Sequence, residues 1–302
     1  MWAYIPYFEL GVYNLQLGSL TLPIDPWALL VCIGFIVGLE VARSRGLREG
    51  LQVKDVVDGS VFIVLSGFAM AHVFTVLFYF PERMLDAGGQ FSLWMAFDAI
   101  VLKIWQGFSS TGGFIGAILG TVVFYRWIRR RNAWHHADVI CFGFPFGWFF
   151  GRLGCGVVHD HIGAVTTFPL AMNFDRGVAW WAAGDPYVQG VRHELGLYEA
   201  AYMVPVCVLF WFLGRQRRPP GFFLGLFAVT YAPVRFAMDF LRNQDLTFQD
   251  ARYAGLTPAQ FGMLAMFLAG GALLYGVQRR AAAESQSQSQ SQSQSQSQSH
   301  EE

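Results

Sequence analysis

The sequence predicts an all-α integral membrane protein of about seven transmembrane helices, with its N-terminus periplasmic and its C-terminus cytoplasmic. Three observations predict it. Of 302 residues, 54% are hydrophobic and only 14% charged, and the apolar residues lie in long blocks instead of short amphipathic periods. Seven of these blocks approach the roughly 20 residues that a helix needs to cross the hydrocarbon core. Basic clusters follow every other block, so an alternating chain places all of them on one face, which the positive-inside rule makes cytoplasmic.

The first block, 26–41, is followed by Arg43, Arg45, Arg48 and Lys54, and the second, 56–79, returns to the outer face. The segment 91–108 carries Asp98 and Lys103 and reads as an interfacial or re-entrant element. The third block, 112–127, is followed by Arg129, Arg130 and Arg131, beyond Arg126 in its last turn. The fourth, 139–158, leads outward, and the fifth, 197–213, returns to Arg215, Arg217 and Arg218. The sixth, 222–241, leads outward again, and the seventh, 260–277, ends at Arg279 and Arg280. Segments 80–111, 159–196 and 242–259 are then the outer loops, and they hold most of the aspartates and histidines. Residues 1–22 mix aromatic and polar character and suit an arm along the outer surface; they lack the basic start and clean apolar core of a cleavable signal. The expected division is one polytopic membrane domain over 1–281 and a disordered cytoplasmic Ser-Gln tail over 282–302, whose repeat cannot bury apolar area. Cys32, Cys141, Cys155 and Cys207 all fall inside blocks, which argues against a disulfide framework.

Ionisable residues inside spans are expensive and point to function. Arg152 and Cys155 lie near the outer end of the fourth block, just before His159-Asp160-His161. Tyr231, Arg235, Asp239 and Arg242 lie on one face of the sixth, at spacings of four, four and three. Arginine suits a phosphate because its planar fork gives two directed, charge-assisted hydrogen bonds. Two helices that supply guanidinium and carboxylate groups to one level of the bilayer make a site for something anionic and lipidic. The structural alternative is that Arg235 and Asp239 neutralise each other while Arg152 snorkels to the interface. His159 and His161 offer a pair of metal ligands, but spacing fixes no third, so no metal is assigned.

Gly151-Arg152-Leu153-Gly154, with the polar stretch that closes at Gly163, resembles the signature of the prolipoprotein diacylglyceryl transferases, usually Gly-Arg-x-Gly-Asn-Phe-x-Asn-x-Glu-x-x-Gly. Gly112-Gly113 with Ile115-Gly116 resembles the family's His-Gly-Gly-x-x-Gly, and His193 with Leu197-Tyr198-Glu199-Ala200 its His-Pro-x-Gln-Leu-Tyr-Glu-Ala. Tyr231, Arg235, Asp239 and Arg242 follow its Tyr-x-x-x-Arg-x-x-x-Glu-x-x-Arg, and Gly255-Leu256-Thr257 with Gln260 resembles the start of its last span. Five segments in the family's order, over about 17–277, carry the resemblance.

The resemblance implies transfer of the diacylglyceryl group of phosphatidylglycerol to the cysteine thiol of a secreted prolipoprotein, in the bacterial inner membrane, at a site that faces the periplasm. It implies no cofactor, and no nucleic acid is an expected partner. Arg152, Arg235 and Arg242, with Tyr231, Gly154, Thr111, Gly112 and Gly113, are the expected donor-binding residues. Asp160 and Asp239 stand where the family has glutamates, Cys155 where it has asparagine, Thr111 where it has a histidine, and His72 where it has an arginine of the second span. His159 or His161, beside Asp160, is then expected to supply the base lost at Thr111, at a pKa near neutrality. The catalytic expectation is thus Asp160, Asp239, His159 and His161. The other readings are a non-catalytic lipid-binding accessory to another membrane enzyme, and a transporter, which the outer position of the charges disfavours.

Overall fold

The computed structural model describes residues 4–8, 10–78, 80–86, 88–104, 107–174, 188–246 and 252–298. Stretches 175–187 and 247–251 of the expected outer loops lie outside the described residues. Seven described helices are long and apolar enough to cross a membrane: Pro26–Arg48, Val53–Phe78, Ser110–Ile128, Ala133–Val158, Leu195–Leu213, Phe222–Leu241 and Pro258–Ala283. Each expected block is one of them. Several run past the apolar block, as Ala133–Val158 does by six residues at its basic end, because polar residues without a breaker continue a helix once it has begun. The chain divides into two compact units, 1–41 with 141–302, and 42–140.

The unit of 42–140 is built on α2 (Val53–Phe78) and α4 (Ser110–Val122, prolonged by a π-helical turn to Ile128). Gly112, Gly116 and Gly120 form the seam: a Cβ on Gly112 would lie 2.5 Å from that of Phe74, and one on Gly120 2.8 Å from that of Ser66. Small residues at this spacing let backbones approach closely where lipid supplies no hydrophobic drive. Gly112, expected to bind donor, is thus occupied by packing on α2. Segment 91–108 includes a short apolar helix, α3 (Leu93–Leu102). His72, buried on α2, bonds the carbonyls of Ala99 and Gly107 at 3.0 and 3.3 Å and so fastens this element.

The other unit contains a second glycine crossing. Gly34 and Gly38 of α1 (Pro26–Arg48) meet Gly147 and Gly143 of α5 (Ala133–Val158); a Cβ on Gly147 would stand 2.6 Å from the Gly34 carbonyl oxygen. Asp25 caps α1 by accepting the Ala28 amide at 3.0 Å, with Pro26 at the first helical position. α7 (Phe222–Met238, ending in the 3-10 turn Asp239–Leu241) packs on α8 (Pro258–Gln298) through Gly225 and Gly270. α8 continues through the Ser-Gln repeat to Gln298, where the sequence predicts disorder. No glycine or proline follows Gly276 to end it, and glutamine is a good helix former.

Strands, which the sequence does not predict, join the segments expected on the outer face. A sheet in the order β1-β5-β6-β4 pairs β1 (Ile5–Pro6) parallel to β5 (Met172–Asn173), with β6 (Val191–Glu194) antiparallel to both β5 and β4 (Ile162–Val165). It packs on a small core of Ile162, Met172, Phe174, Val188 and Leu246. The arm expected along the membrane surface includes a hairpin, β2 (Tyr13–Leu17) and β3 (Leu20–Ile24), turned at Gly18, with Tyr13, Leu17, Leu20 and Leu22 exposed. These strands are two to five residues long, and those of the four-stranded sheet pair across distant segments, so no local period announces them.

Candidate active site

The last turn of α5 meets the first turn of α6 (Leu195–Leu213) at Gly156 and Gly196, where a Cβ on Gly196 would sit 2.5 Å from the Gly156 nitrogen. That contact between backbones brings Arg152, one turn back on α5, to Glu199, one turn on along α6. Arg152 Nε lies 2.8 Å from Glu199 Oε1 as an ion pair, and the guanidinium carbon stands 4.4 Å over the Trp148 ring. Glu199 also faces Arg235 Nε at 3.7 Å, accepts a hydrogen bond from the Tyr231 hydroxyl, and accepts the Trp148 indole N–H at 3.2 Å. All of these but Trp148 are buried. Glu199 is the hub of the cluster.

Asp239 is the second hub. Its Oδ1 receives Arg235 Nη1 at 2.6 Å and pairs with Arg242 Nε at 2.9 Å, while Oδ2 accepts the Thr257 hydroxyl. Thr257 opens α8 with a capping box: its amide donates to Gln260 Oε1 at 2.9 Å and its Oγ1 accepts the Gln260 amide at 3.2 Å, with Pro258 between. The side-chain amide of Gln260 reaches the Phe236 carbonyl at 3.1 Å. Asp239 is therefore engaged on both oxygens, which suits it to orient Arg235 and Arg242 and not to act as a base.

α5 ends in a left-handed residue, His159, with φ 52°, after which the Asp160 amide donates back to the Cys155 carbonyl at 3.3 Å. This is the Schellman arrangement, normally made by glycine. His159 holds it because its ring is fixed from outside, with Nε2 2.7 Å from the Phe8 carbonyl, Nδ1 3.2 Å from Glu194, and Tyr7, Phe8 and Phe174 around it. The structure thus does not bring His159 into the arginine cluster; it clasps the N-terminal arm. Burial disfavours its charged form, but the hydrogen bond and charge of Glu194, with the Phe8 carbonyl and Asp160, raise its pKa above the ordinary 6.5. A histidine with a raised folded pKa adds stability that is fully present below the unfolded value and is lost as pH rises through the folded one. The melting temperature is therefore expected to fall as pH is raised above 6.5, and His159→Gln to flatten that slope; parallel curves for the two proteins would refute the role.

The same cap turns Asp160 and His161 toward Cys155. Arg152 Nη1 reaches the Cys155 sulfur at 3.9 Å and His161 Nε2 at 3.3 Å, while His161 Nδ1 lies 2.5 Å from Asp160 Oδ1. Burial lowers the pKa of His161, but the charge of Asp160 and the hydrogen bond to it, with a further bond to the Cys155 thiol, hold it up to about 9. Burial raises that of Asp160, but the charge and hydrogen bond of His161, and Arg152, keep it below the usual carboxylate value. At neutral pH His161 is then an imidazolium and a donor, where the sequence predicts a base near neutrality. Its Nε2–H and the Arg152 fork converge, an arrangement that an anionic oxygen satisfies.

Three guanidiniums, of Arg152, Arg235 and Arg242, thus face two carboxylates, Glu199 and Asp239, and the Asp160–His161 pair adds no net charge. Among the described residues the cluster is rich in guanidinium groups, the character a phosphodiester monoanion calls for. Gly154 faces Trp27 and Leu30 of α1, so its bareness serves helix packing. Thr111, Gly112 and Gly113 lie on the first turn of α4, in the other unit. Glu199, Trp148, Glu194 and Thr257 are in the structure's cluster and its surround but not among the site residues the sequence predicts. Glu199 carried a usable signal, a carboxylate inside an apolar block. None of the four cysteines forms a disulfide, as expected of cysteines inside apolar blocks.

Seven described helices long and apolar enough to cross a membrane, with arginines and carboxylates paired between them, define a multi-pass membrane protein. The family model described as prolipoprotein diacylglyceryl transferase matches residues 15–276, and the chain belongs to that family. A phosphatidylglycerol–prolipoprotein diacylglyceryl transferase of Nitratidesulfovibrio vulgaris is 33% identical over 85% of this chain and 90% of its own length. Proteins of the same name from Burkholderia cenocepacia, 30% identical over 86% and 92% of the two chains, and Mannheimia succiniciproducens, 32% over 72% and 75%, are similar too.

Proposed function

We propose that this protein transfers the diacylglyceryl group of phosphatidylglycerol to the cysteine of a prolipoprotein, in lipoprotein biosynthesis. The observation that carries the reading is the convergence of Arg152 Nη1 and His161 Nε2, 3.3 Å apart, beside the buried Glu199, an arrangement that suits a phosphate oxygen. Arg152 and His161 hold the donor's phosphate; Arg235, Arg242 and Tyr231 complete its cradle, and Glu199, Asp239 and Asp160 fix the cations. The acceptor sulfur bonds to the glyceryl carbon, the carbon–oxygen bond to phosphate breaks, and glycerol phosphate leaves with its new charge stabilised by groups already in position. Asp160, half-buried at the end of α5, receives the thiol proton.

Purified protein, phosphatidylglycerol and a lipobox peptide should yield a peptide heavier by one diacylglyceryl group. Failure under all donor lipids would favour the accessory, lipid-binding reading. Asp160→Asn is expected to slow transfer about a hundredfold while lipid-dependent thermal stabilisation persists; loss of both together would make Asp160 structural.

The protein resides in the bacterial inner membrane with this site toward the periplasm, as the four basic clusters support. Residues 1–281 form the membrane domain, and the Ser-Gln segment carries no chemistry. A reporter fused after Arg280 should be cytoplasmic, and Thr167→Cys, in a background without native cysteines, should be labelled by a membrane-impermeant reagent from outside. Labelling of both positions from one side would overturn this orientation.

A further inference from the structure

We propose that Cys155, Asp160 and His161 form a binding site for a soft divalent cation of the zinc type, beside Arg152. Thiolate, carboxylate and imidazole are the ligands zinc takes, and one donor atom from each residue lies within 4.8 Å of the other two. The helix cap sets this up. In a Schellman cap the side chains three residues before and two after its end commonly meet through an apolar contact; here those positions hold the Cys155 thiol and the Asp160 carboxylate, with His161 next. The His159-x-His161 pair of the sequence is not the site, because His159 is engaged with Glu194 and Phe8.

Tetrahedral zinc with bonds of about 2.0–2.3 Å asks for ligand separations of roughly 3.5 Å. Rotation of these side chains closes the difference, and Asp160 and His161 Nδ1, now 2.5 Å apart, open around the ion. The thiol proton and the proton between Asp160 and His161 leave as it enters. Arg152 does not oppose the ion, since thiolate and carboxylate together cancel its two charges. Three protein ligands leave the fourth position to water. The family's asparagine at this place would offer only a hard amide oxygen, so the thiol makes the site particular to chains such as this one. Metal there takes His161 and Asp160 from Arg152 and competes with phosphate; that effect, unlike binding itself, rests on the transferase reading.

The test is titration of the untagged, detergent-solubilised full chain with cobalt(II). A thiolate-to-cobalt charge-transfer band should grow to one equivalent per chain and be displaced by zinc. Cys155→Asn should abolish the band and Cys207→Ser should retain it, while Asp160→Asn or His161→Gln should weaken cobalt binding at least about tenfold. In the unaltered protein, zinc should slow maleimide alkylation of Cys155, mapped by mass, a readout independent of whether any variant folds. Absence of the band in the unaltered protein, its survival in Cys155→Asn, or alkylation indifferent to zinc would overturn the site. Cobalt bound through Cys155 in a chain that transfers nothing would leave the metal site standing and refute the transferase reading.

Discussion

Arg152→Lys is expected to reduce diacylglyceryl transfer by about 10²- to 10³-fold, the loss typical of removing one preorganised donor from a developing oxyanion. Lysine keeps the charge, but one ammonium cannot pair with Glu199, lie flat over Trp148 and present a second N–H beside His161 at once. The measurement is the initial rate of mass addition to a lipobox peptide at saturating phosphatidylglycerol, with insertion and melting temperature as controls for the fold. Transfer at the parental rate would remove Arg152 from the chemistry and return it to a structural role with Glu199.

Glu199→Gln is expected to damage both stability and activity. It leaves two buried guanidiniums without the carboxylate that lies between them, and breaking a buried pair from one side costs about 3–5 kcal/mol. For a chain of this size that is a fall in melting temperature on the order of 10 °C, with transfer lost as Arg152 and Arg235 move apart. Adding Arg235→Met to Glu199→Gln should recover part of the melting temperature, since one uncompensated charge is gone, and none of the activity. An unchanged melting temperature in Glu199→Gln would show that the cluster is not held by this residue.

The spans were legible because a membrane helix announces itself in a single window of composition, and Tyr231, Arg235, Asp239 and Arg242 because helical spacing alone puts them on one face. Both signals are local. Glu199 joins Arg152 through the contact of Gly156 with Gly196, residues forty apart, and no period in the sequence relates them. His159 misled for a similar reason: adjacent to Asp160 in the chain, it takes a left-handed backbone and points to Glu194 and Phe8, 35 and 151 residues away. α5 and α8 run past their apolar blocks at the basic ends because hydropathy stops where charge begins, whereas hydrogen bonding along a helix does not.

The arginine cluster also bears on how the chain is made. An arginine at the centre of an inserted helix costs roughly 2.5–3.5 kcal/mol on translocon scales. α5 enters with Arg152 uncompensated, and its first carboxylate partner, Glu199, is on the next span to leave the ribosome. α7 then brings Arg235 with its own Asp239 one turn away, and α8 delivers Thr257 to the remaining oxygen of that carboxylate. α5 therefore depends on the helix that follows it to neutralise Arg152, whereas α7 arrives with its own pair formed, so the α5–α6 hairpin is the unit in which that charge is accepted by the membrane.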